Sequence, residues 1–145
     1  MFKHIFLPID DDPGSRRAIK LVVALAKGIG ARVTGFHAMT EFAHPGIVDE
    51  LLEPPSVELQ TLARARAEKL FAPLRREAER AGVQCKTLTE RGDRPYEAIV
   101  AAARNAGCDL IVMASHGRHG LAKLVLGSQT QQVLARAGIS VLVVR

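Results

Sequence analysis

The residues best suited to bind an anion lie in the segment DLIVMASHGRHGLAKLVLGSQT, from Asp109 to Thr130. An apolar run there, 110–114, is followed by small and glycine-rich residues. Gly127 then precedes a hydroxyl-bearing stretch that predicts the start of a helix. Glycines let the backbone approach a ligand closely, and the free N–H groups of a helix start attract phosphate. The segment therefore predicts a nucleotide site inside a small α/β domain.

Composition is typical of one folded domain spanning residues 1–145, because apolar residues make up 48% of the chain. There is no tryptophan and one tyrosine, which argues against stacking of single-stranded nucleic acid. The net charge of the chain is +5, but in the stretch 58–80 basic residues are interleaved with acidic ones, as on a solvated helix face. We therefore do not expect nucleic acid as a partner.

The positions of the two cysteines and the lengths of the apolar runs indicate in which cellular compartment we expect the protein. Cys85 and Cys108 are far apart and outside any C-x-x-C motif, which favours buried thiols in a reducing compartment. No apolar run approaches the roughly 20 residues that span a bilayer, and the N-terminus lacks a signal-peptide layout. We expect a soluble, cytoplasmic protein without membrane contact. No zinc-type spacing occurs, and His4 and His37 are interpreted as core histidines in strands.

The elements that must position the predicted site alternate along the chain. Apolar runs predict five strands, at residues 3–9, 31–39, 83–89, 109–114 and 140–144. Helical periodicity predicts four helices between them, from Pro13 to the glycines 28 and 30, over 56–81, after the turn 92–95, and around 128–137.

Several boundary residues carry their own predictions. Asp12 is expected to cap the first helix and Ser128 the last, because both side chains accept hydrogen bonds from free helical N–H groups. Pro73 should kink or split the second helix, whose apolar stripe includes Leu59 and Leu62. Residues 40–55 have no periodicity and predict a functional or mobile loop.

Strict alternation of strands and helices predicts an α/β fold with a five-stranded, doubly wound parallel sheet and helices on both faces. The third strand is polar enough for an edge, and the predicted strand order is 3-2-1-4-5. Ligands bind such sheets beyond the carboxyl ends of the strands where the order reverses. Asp10 and the loop 114–120 should therefore meet in one crevice. The apolar fifth strand, 140–144, would be exposed at the other edge and is predicted to form a homodimer.

The chain resembles the universal stress protein family over essentially its whole length. The resemblance rests on LPID at 7–10, on ASHG at 114–117, and on nine further residues before Gly127-Ser128. ATP-binding members have Gly-x-x-Gly, nine residues, and Gly-Ser or Gly-Thr, so that Ala114 replaces the first glycine of the pattern. The resemblance implies a Rossmann-like fold of the adenine nucleotide alpha hydrolase type. It also implies a stress-response or signalling role for an ATP-binding protein.

The roles of individual residues follow from the same resemblance. Asp10 would contact the ribose or a divalent ion carried by ATP, either Mg²⁺ or Mn²⁺, and the backbone of Ala38 would meet the adenine. Residues 114–118 would wrap the phosphates, and 127–130 would donate from the helix start. The implied ATP-binding residues are Pro8, Asp10, Ala38, Met113, Ala114, Ser115, His116, Gly117, Arg118, Gly127, Ser128, Gln129 and Thr130.

Two other functions stay open at this stage. The chain has no Walker lysine and no nucleophile with a matched base, so an enzyme would be at most a slow ATPase or a self-phosphorylating protein. Alternatively, Ala114 marks a degenerate site, and the protein is a dimeric interaction module that binds no nucleotide. Asp10 also fits a plain loop acid, and His116 a polar loop residue.

Overall fold

A computed structural model describes residues 1–39, 56–115 and 127–145. The predicted loop 40–55 and residues 116–126 lie outside the described residues. Strands and helices alternate in the order β1 (His4–Pro8), α1 (Pro13–Ile29), β2 (Arg32–Met39), α2 (Val57–Ala81), β3 (Cys85–Arg91), α3 (Pro95–Asn105), β4 (Leu110–Ala114), α4 (Ser128–Arg136) and β5 (Ser140–Val144).

The five strands form one parallel sheet in the order β3-β2-β1-β4-β5, which confirms the predicted topology. β1 is central and pairs with β2 on one side and β4 on the other, with Ile5 opposite both Val33 and Leu110. The strand order reverses between β1 and β4, so their carboxyl ends border the crevice in which such sheets bind ligands. The exposed β3 lies at one edge, as its polar sequence predicts.

Each face of the sheet is covered by two helices because successive strand residues point to opposite sides. On one face, Leu7 and Val112 pack with residues of α1 and α2 such as Val22 and Leu74. On the other, Phe6 and Phe36 stack at a ring-centroid distance of 5.2 Å and pack with α3 and α4. Helices on both faces are thus confirmed.

The first helix begins and ends for reasons that its sequence contains. The Asp12 carboxylate accepts a hydrogen bond from the Gly14 amide at 2.5 Å, and Pro13 occupies the first turn, as predicted. The helix ends at Gly30, whose φ of 67° is left-handed, which favours glycine. Gly28 lies inside the helix, so the prediction that it helps to end α1 is wrong.

The second helix runs without a break through Pro73, so it is not split there. Its buried residues are Ala67, Phe71, Leu74 and Ala78, whereas Leu59 and Leu62 of the predicted stripe are exposed. The buried part of α2 thus begins at Ala67, and the first ten residues of the helix contribute no buried side chain to the described core.

No helix in the described ranges has the length and apolarity needed to cross a membrane. Both cysteines are free thiols: Cys108 is buried and Cys85 half-buried. Burial raises the pKa of Cys108 to about 11, and the neighbouring Asp109 carboxylate adds to this effect. That thiol therefore stays protonated and is part of the core.

Candidate nucleotide-binding site

A cavity of about 320 Å³ opens at the carboxyl ends of β1, β2 and β4, beside the start of α4. This is the switch point at which parallel α/β sheets bind ligands. Its volume lies at the lower end of the range of small-molecule pockets. The described residues that line it are Pro8, Ile9, Asp10, Phe36, His37, Ala38, Pro95, Ile99, Met113, Ala114, Gly127, Ser128, Gln129 and Thr130.

The cavity brings together most of the residues implied as ATP-binding. Those that line it are Pro8, Asp10, Ala38, Met113, Ala114, Gly127, Ser128, Gln129 and Thr130. Ser115 is described but is not part of the lining, and its amide donates to the Val144 carbonyl at 2.7 Å. Residues 116–118, predicted as His116, Gly117 and Arg118, lie outside the described residues. The segments around positions 10, 38, 114 and 128 thus border one space.

Asp10 follows the last residues of β1 and reaches the cavity with 58% of its side chain exposed. Its backbone is held by the start of α1, because the Asp10 amide donates to Ser15 Oγ at 3.2 Å. The Asp12 amide donates to the Asp10 carbonyl at 2.9 Å, which closes a short turn before the helix. The carboxylate is therefore carried by a hydrogen-bonded turn and points into an accessible space.

His37 stands beside Asp10 at the end of β2. Its Nδ1 is 2.9 Å from the Ile9 carbonyl oxygen and 3.5 Å from Asp10 Oδ1. The Asp10 carboxylate is the main cause that raises the pKa of His37 above its usual 6.5, against the opposing effect of partial burial. The interpretation of His37 as a core histidine is wrong, because it is half-buried and lines the cavity. Its place directly before Ala38 at a strand end was the signal available in the sequence.

The start of α4 faces the cavity, and its N-cap residue has no side chain that could cap the helix. Gly127 is the N-cap residue, and its extended backbone (φ −54°, ψ 149°) precedes Ser128, which is already helical. The prediction that Ser128 caps this helix is therefore wrong, since a cap residue lies outside the helical turn. The N–H groups of the first turn and the positive end of the helix dipole make this terminus suited to an anion.

Gln129 joins this helix to its neighbour. Its side-chain Oε1 accepts a hydrogen bond from the Tyr96 amide at 2.9 Å. Tyr96 lies in the first turn of α3, whose N-cap residue Arg94 makes no side-chain capping bond. The amide oxygen of Gln129 thus caps α3 from another helix, a role beyond the phosphate donation that the resemblance implies.

The apolar wall of the cavity was largely missed by the sequence reasoning. Ile9, Phe36, Pro95 and Ile99 line the space together with Met113. Ile99 is 5% exposed and belongs to the core as well as to the lining, and nothing in its residue type separates a cavity wall from a core contact. Apolar lining next to polar backbone groups suits the faces and edge of a heterocyclic base.

The cavity offers few ligands for a bare cation. Within the described part of the chain, no three His, Cys, Asp or Glu side chains are close enough to hold a metal ion. Asp10 is the one carboxylate among the described lining residues. A divalent ion would therefore depend on oxygen ligands that come with a nucleotide, as Mg²⁺ commonly does.

A family model described as the universal stress protein family matches residues 1–145, the entire chain. The chain belongs to the universal stress protein family. A universal stress protein of Thermus aquaticus is 38% identical over 145 residues, with all of both chains covered. The solved structure of the hypothetical protein MJ0577, from Methanocaldococcus jannaschii, is 29% identical, with 99% of this chain and 96% of that one covered and a TM-score of 0.80.

Some solved universal stress proteins contain adenine nucleotides. Those with cAMP, with dAMP (Archaeoglobus fulgidus) and with AMP (Arabidopsis thaliana) have TM-scores of 0.75, 0.68 and 0.69 to this chain. Each comparison covers at least 98% of this chain and at least 90% of the other. Their identities of 18%, 16% and 14% establish a shared fold.

Proposed function

We propose that this protein binds adenine nucleotide in the cavity described above, as ATP with Mg²⁺ or Mn²⁺. In this proposal it acts as a stress-response or signalling module through nucleotide-dependent conformation or partner binding. The observation that carries the proposal is the convergence of apolar residues, a carboxylate and a helix start with a glycine at its N-cap on one cavity. Membership of a family in which solved members contain AMP, dAMP and cAMP supports the same ligand class.

The parts of the cavity match the parts of the nucleotide. The apolar lining of Pro95, Ile99 and Met113 suits the base, and the adjacent backbone of Ala38 offers polar groups to its edge. The Asp10 carboxylate suits a hydroxyl donor such as those of ribose. The start of α4, with Ser128 and the buried Thr130, suits phosphate oxygens.

A divalent ion would be held mainly by the phosphates of ATP. It would neutralise part of their charge, and Asp10 is the one carboxylate among the described lining residues. The N–H groups at the start of α4 would bind the remaining phosphate charge.

We also propose that two copies associate through β5. Ser140–Val144 forms an edge of the sheet, and the exposed fraction of Leu142 is 39%. An apolar edge strand with unpaired backbone groups is prone to pair with another strand. A second copy of the same strand, related by a two-fold axis, would cover the apolar side chains and pair with the backbone groups. The free cysteines favour a reducing compartment, and we place the protein in the cytoplasm.

Equilibrium titration of the purified protein with ATP, with AMP and GTP as comparison ligands, tests the nucleotide proposal. Ser128→Glu is the matched site variant, because an added carboxylate stabilises a helix start but repels phosphate. Ser128→Gln keeps the size without the charge. We expect ATP to bind at micromolar concentration, Ser128→Glu to weaken it at least about tenfold, and Ser128→Gln, which loses the hydroxyl but adds no charge, to weaken it less than Ser128→Glu does.

Two results would change this proposal. Absent or millimolar ATP binding by the wild-type protein would favour the ligand-free dimeric module instead. Multiple-turnover release of phosphate, lost in Asp10→Asn while the protein stays folded, would indicate an ATPase. The nucleotide content of protein purified without added ligand gives an independent check on the preferred base.

A further inference from the structure

We propose that His37 is a positioning residue for Asp10 and that it sets the preference of the cavity for a ribose over a deoxyribose. The inference rests on the proposed nucleotide function. It goes beyond that function because it assigns sugar discrimination to a residue that acts through the position of Asp10. His37 acts through the peptide before Asp10 and through the carboxylate itself.

The first step is the way in which β2 holds the end of β1. The Ile9 amide donates to the Phe36 carbonyl at 2.7 Å, and the Ile9 carbonyl accepts from His37 Nδ1 at 2.9 Å. Both polar groups of Ile9 are therefore tied to adjacent residues of one strand. Asp10 is the next residue, so the orientation of its Cα is determined by these two hydrogen bonds.

The second step is the location of the imidazole proton. A carbonyl oxygen only accepts, so the contact between Nδ1 and the Ile9 oxygen requires that Nδ1 carry a hydrogen. Asp10 Oδ1 is 3.5 Å from the same nitrogen, so the carboxylate is attracted to the positive end of that N–H bond. The ring thus draws the carboxylate to one side of the turn and restricts its rotation.

The third step is the effect of a fixed carboxylate on sugar recognition. A carboxylate in a set position accepts a hydrogen bond from a ribose hydroxyl, whereas a deoxyribose leaves that oxygen without the partner. Because 58% of the Asp10 side chain is exposed, water replaces part of the lost bond. We therefore expect a preference of about tenfold, well below that of a fully enclosed site.

His4 is a control residue that distinguishes a positioning role of a histidine from a role in packing alone. His4 is buried near the opposite end of β1 and β2, where its Nε2 contacts Thr34 Oγ1 at 2.7 Å. It has no access to the cavity. His37, by comparison, is a lining residue whose ring contacts the turn that carries the carboxylate. Substitution of His4 should lower stability without changing the sugar preference.

The test measures dissociation constants for ATP, 2′-deoxy-ATP and 3′-deoxy-ATP. His37→Asn retains a side-chain N–H near the position of Nδ1, whereas His37→Leu removes it at similar bulk. Wild type and His37→Asn should prefer ATP over at least one deoxy analogue by about tenfold. In His37→Leu and in Asp10→Asn the ratio should fall below about threefold, and the double variant should show no further loss.

The outcomes separate this inference from the proposed function. No ATP binding by wild type contradicts both, whereas ATP binding with an unchanged ratio in His37→Leu overturns the inference alone. Equal binding of all three nucleotides by wild type also overturns it. If His37→Leu fails to fold, the imidazole ¹⁵N chemical shifts of the wild-type protein test the inference instead. They should show that Nδ1 carries the proton. The Nδ1 shift should also change more on addition of ATP than on addition of the deoxy analogue that binds more weakly. A bare Nδ1 would contradict the inference.

Discussion

The methyl group of Ala114 faces Gly14 at the start of α1. A β-carbon at Gly14 would lie 3.6 Å from the methyl carbon of Ala114, an ordinary packing distance. Ala114 is the last residue of β4 and pairs with Val144 in the parallel ladder, so its backbone is extended and does not require glycine. The residue that replaces the first motif glycine thus packs against α1, in the core between sheet and helix.

From this relationship we predict that Ala114→Gly leaves ATP affinity within about threefold of wild type. The free energy of unfolding should fall by about 1 kcal/mol, because a buried methyl group is lost and glycine is less restricted in the unfolded chain. Urea unfolding and ATP titration of the same sample measure both quantities. A tenfold gain in affinity would mean that the alanine does obstruct the phosphates.

Most of the fold was predictable because continuous apolar runs mark strands that are buried on both faces and a period of 3.6 marks the buried face of a helix. The alternation of apolar runs and the polar β3 together predicted the strand order. The predictions failed at Leu59 and Leu62 because a helical pattern does not show which turns of a long helix meet the core. The prediction failed at Gly28 because the left-handed turn that ends α1 is formed by Gly30. Ser128 failed as a cap because its neighbour Gly127 adopts the extended cap geometry first.

The part of the candidate site that binds through backbone groups was predictable from the sequence. The apolar lining and the contacts between side chains were not. The glycine and hydroxyl residues near α4 carry a spacing that is visible in the chain. The contacts of His37 and Gln129 join residues 27 or more positions apart, such as His37 with Asp10 and Gln129 with Tyr96. No local pattern encodes such pairs, because strand order and helix docking bring them together.

Gln129 allows the structural and ligand roles of one residue to be separated. Its Oε1 caps α3 through the Tyr96 amide, so Gln129→Ala should lower the free energy of unfolding by about 1 kcal/mol. Gln129→Glu keeps an acceptor for that amide and adds charge beside the phosphate end of the cavity. We expect Gln129→Glu to retain stability while ATP affinity falls, as measured by thermal unfolding and calorimetric titration. Equal destabilisation by both variants would contradict the capping role.

His4 makes stability depend on pH. Burial, and then the positive charge of Arg32, lower the pKa of His4 below 6.5, although the Asp109 carboxylate opposes this. As the pH falls, His4 therefore binds a proton in the unfolded chain at a higher pH than in the folded protein. The stability that neutral His4 contributes is complete above pH 6.5 and is lost as the pH falls below it. His37, with a raised pKa, contributes in the opposite direction, and its contribution is lost as pH rises through its folded-state pKa.

We accordingly predict that the free energy of unfolding of wild type, relative to His4→Gln, decreases between pH 7.5 and pH 5.5. The glutamine retains a polar group near Thr34 and does not titrate, so it removes the pH-dependent part alone. The slope of the difference should stay below about 1.4 kcal/mol per pH unit, the limit for one proton. Parallel curves for the two proteins in urea unfolding would show that His4 does not titrate between the states.

The proposed dimer makes Leu142 on β5 a sensitive position. Its exposed fraction is 39%, close to the 43% of Leu21 on α1, so the two leucines form a matched pair of surface sites. A carboxylate at position 142 would place like charges near a two-fold axis, where both copies present the same residue. We expect wild type and Leu21→Glu to sediment as dimers at micromolar concentration and Leu142→Glu as a monomer. A wild-type monomer that persists across salt concentrations would contradict pairing through β5, whereas a dimer that survives Leu142→Glu would assign the interface to another surface.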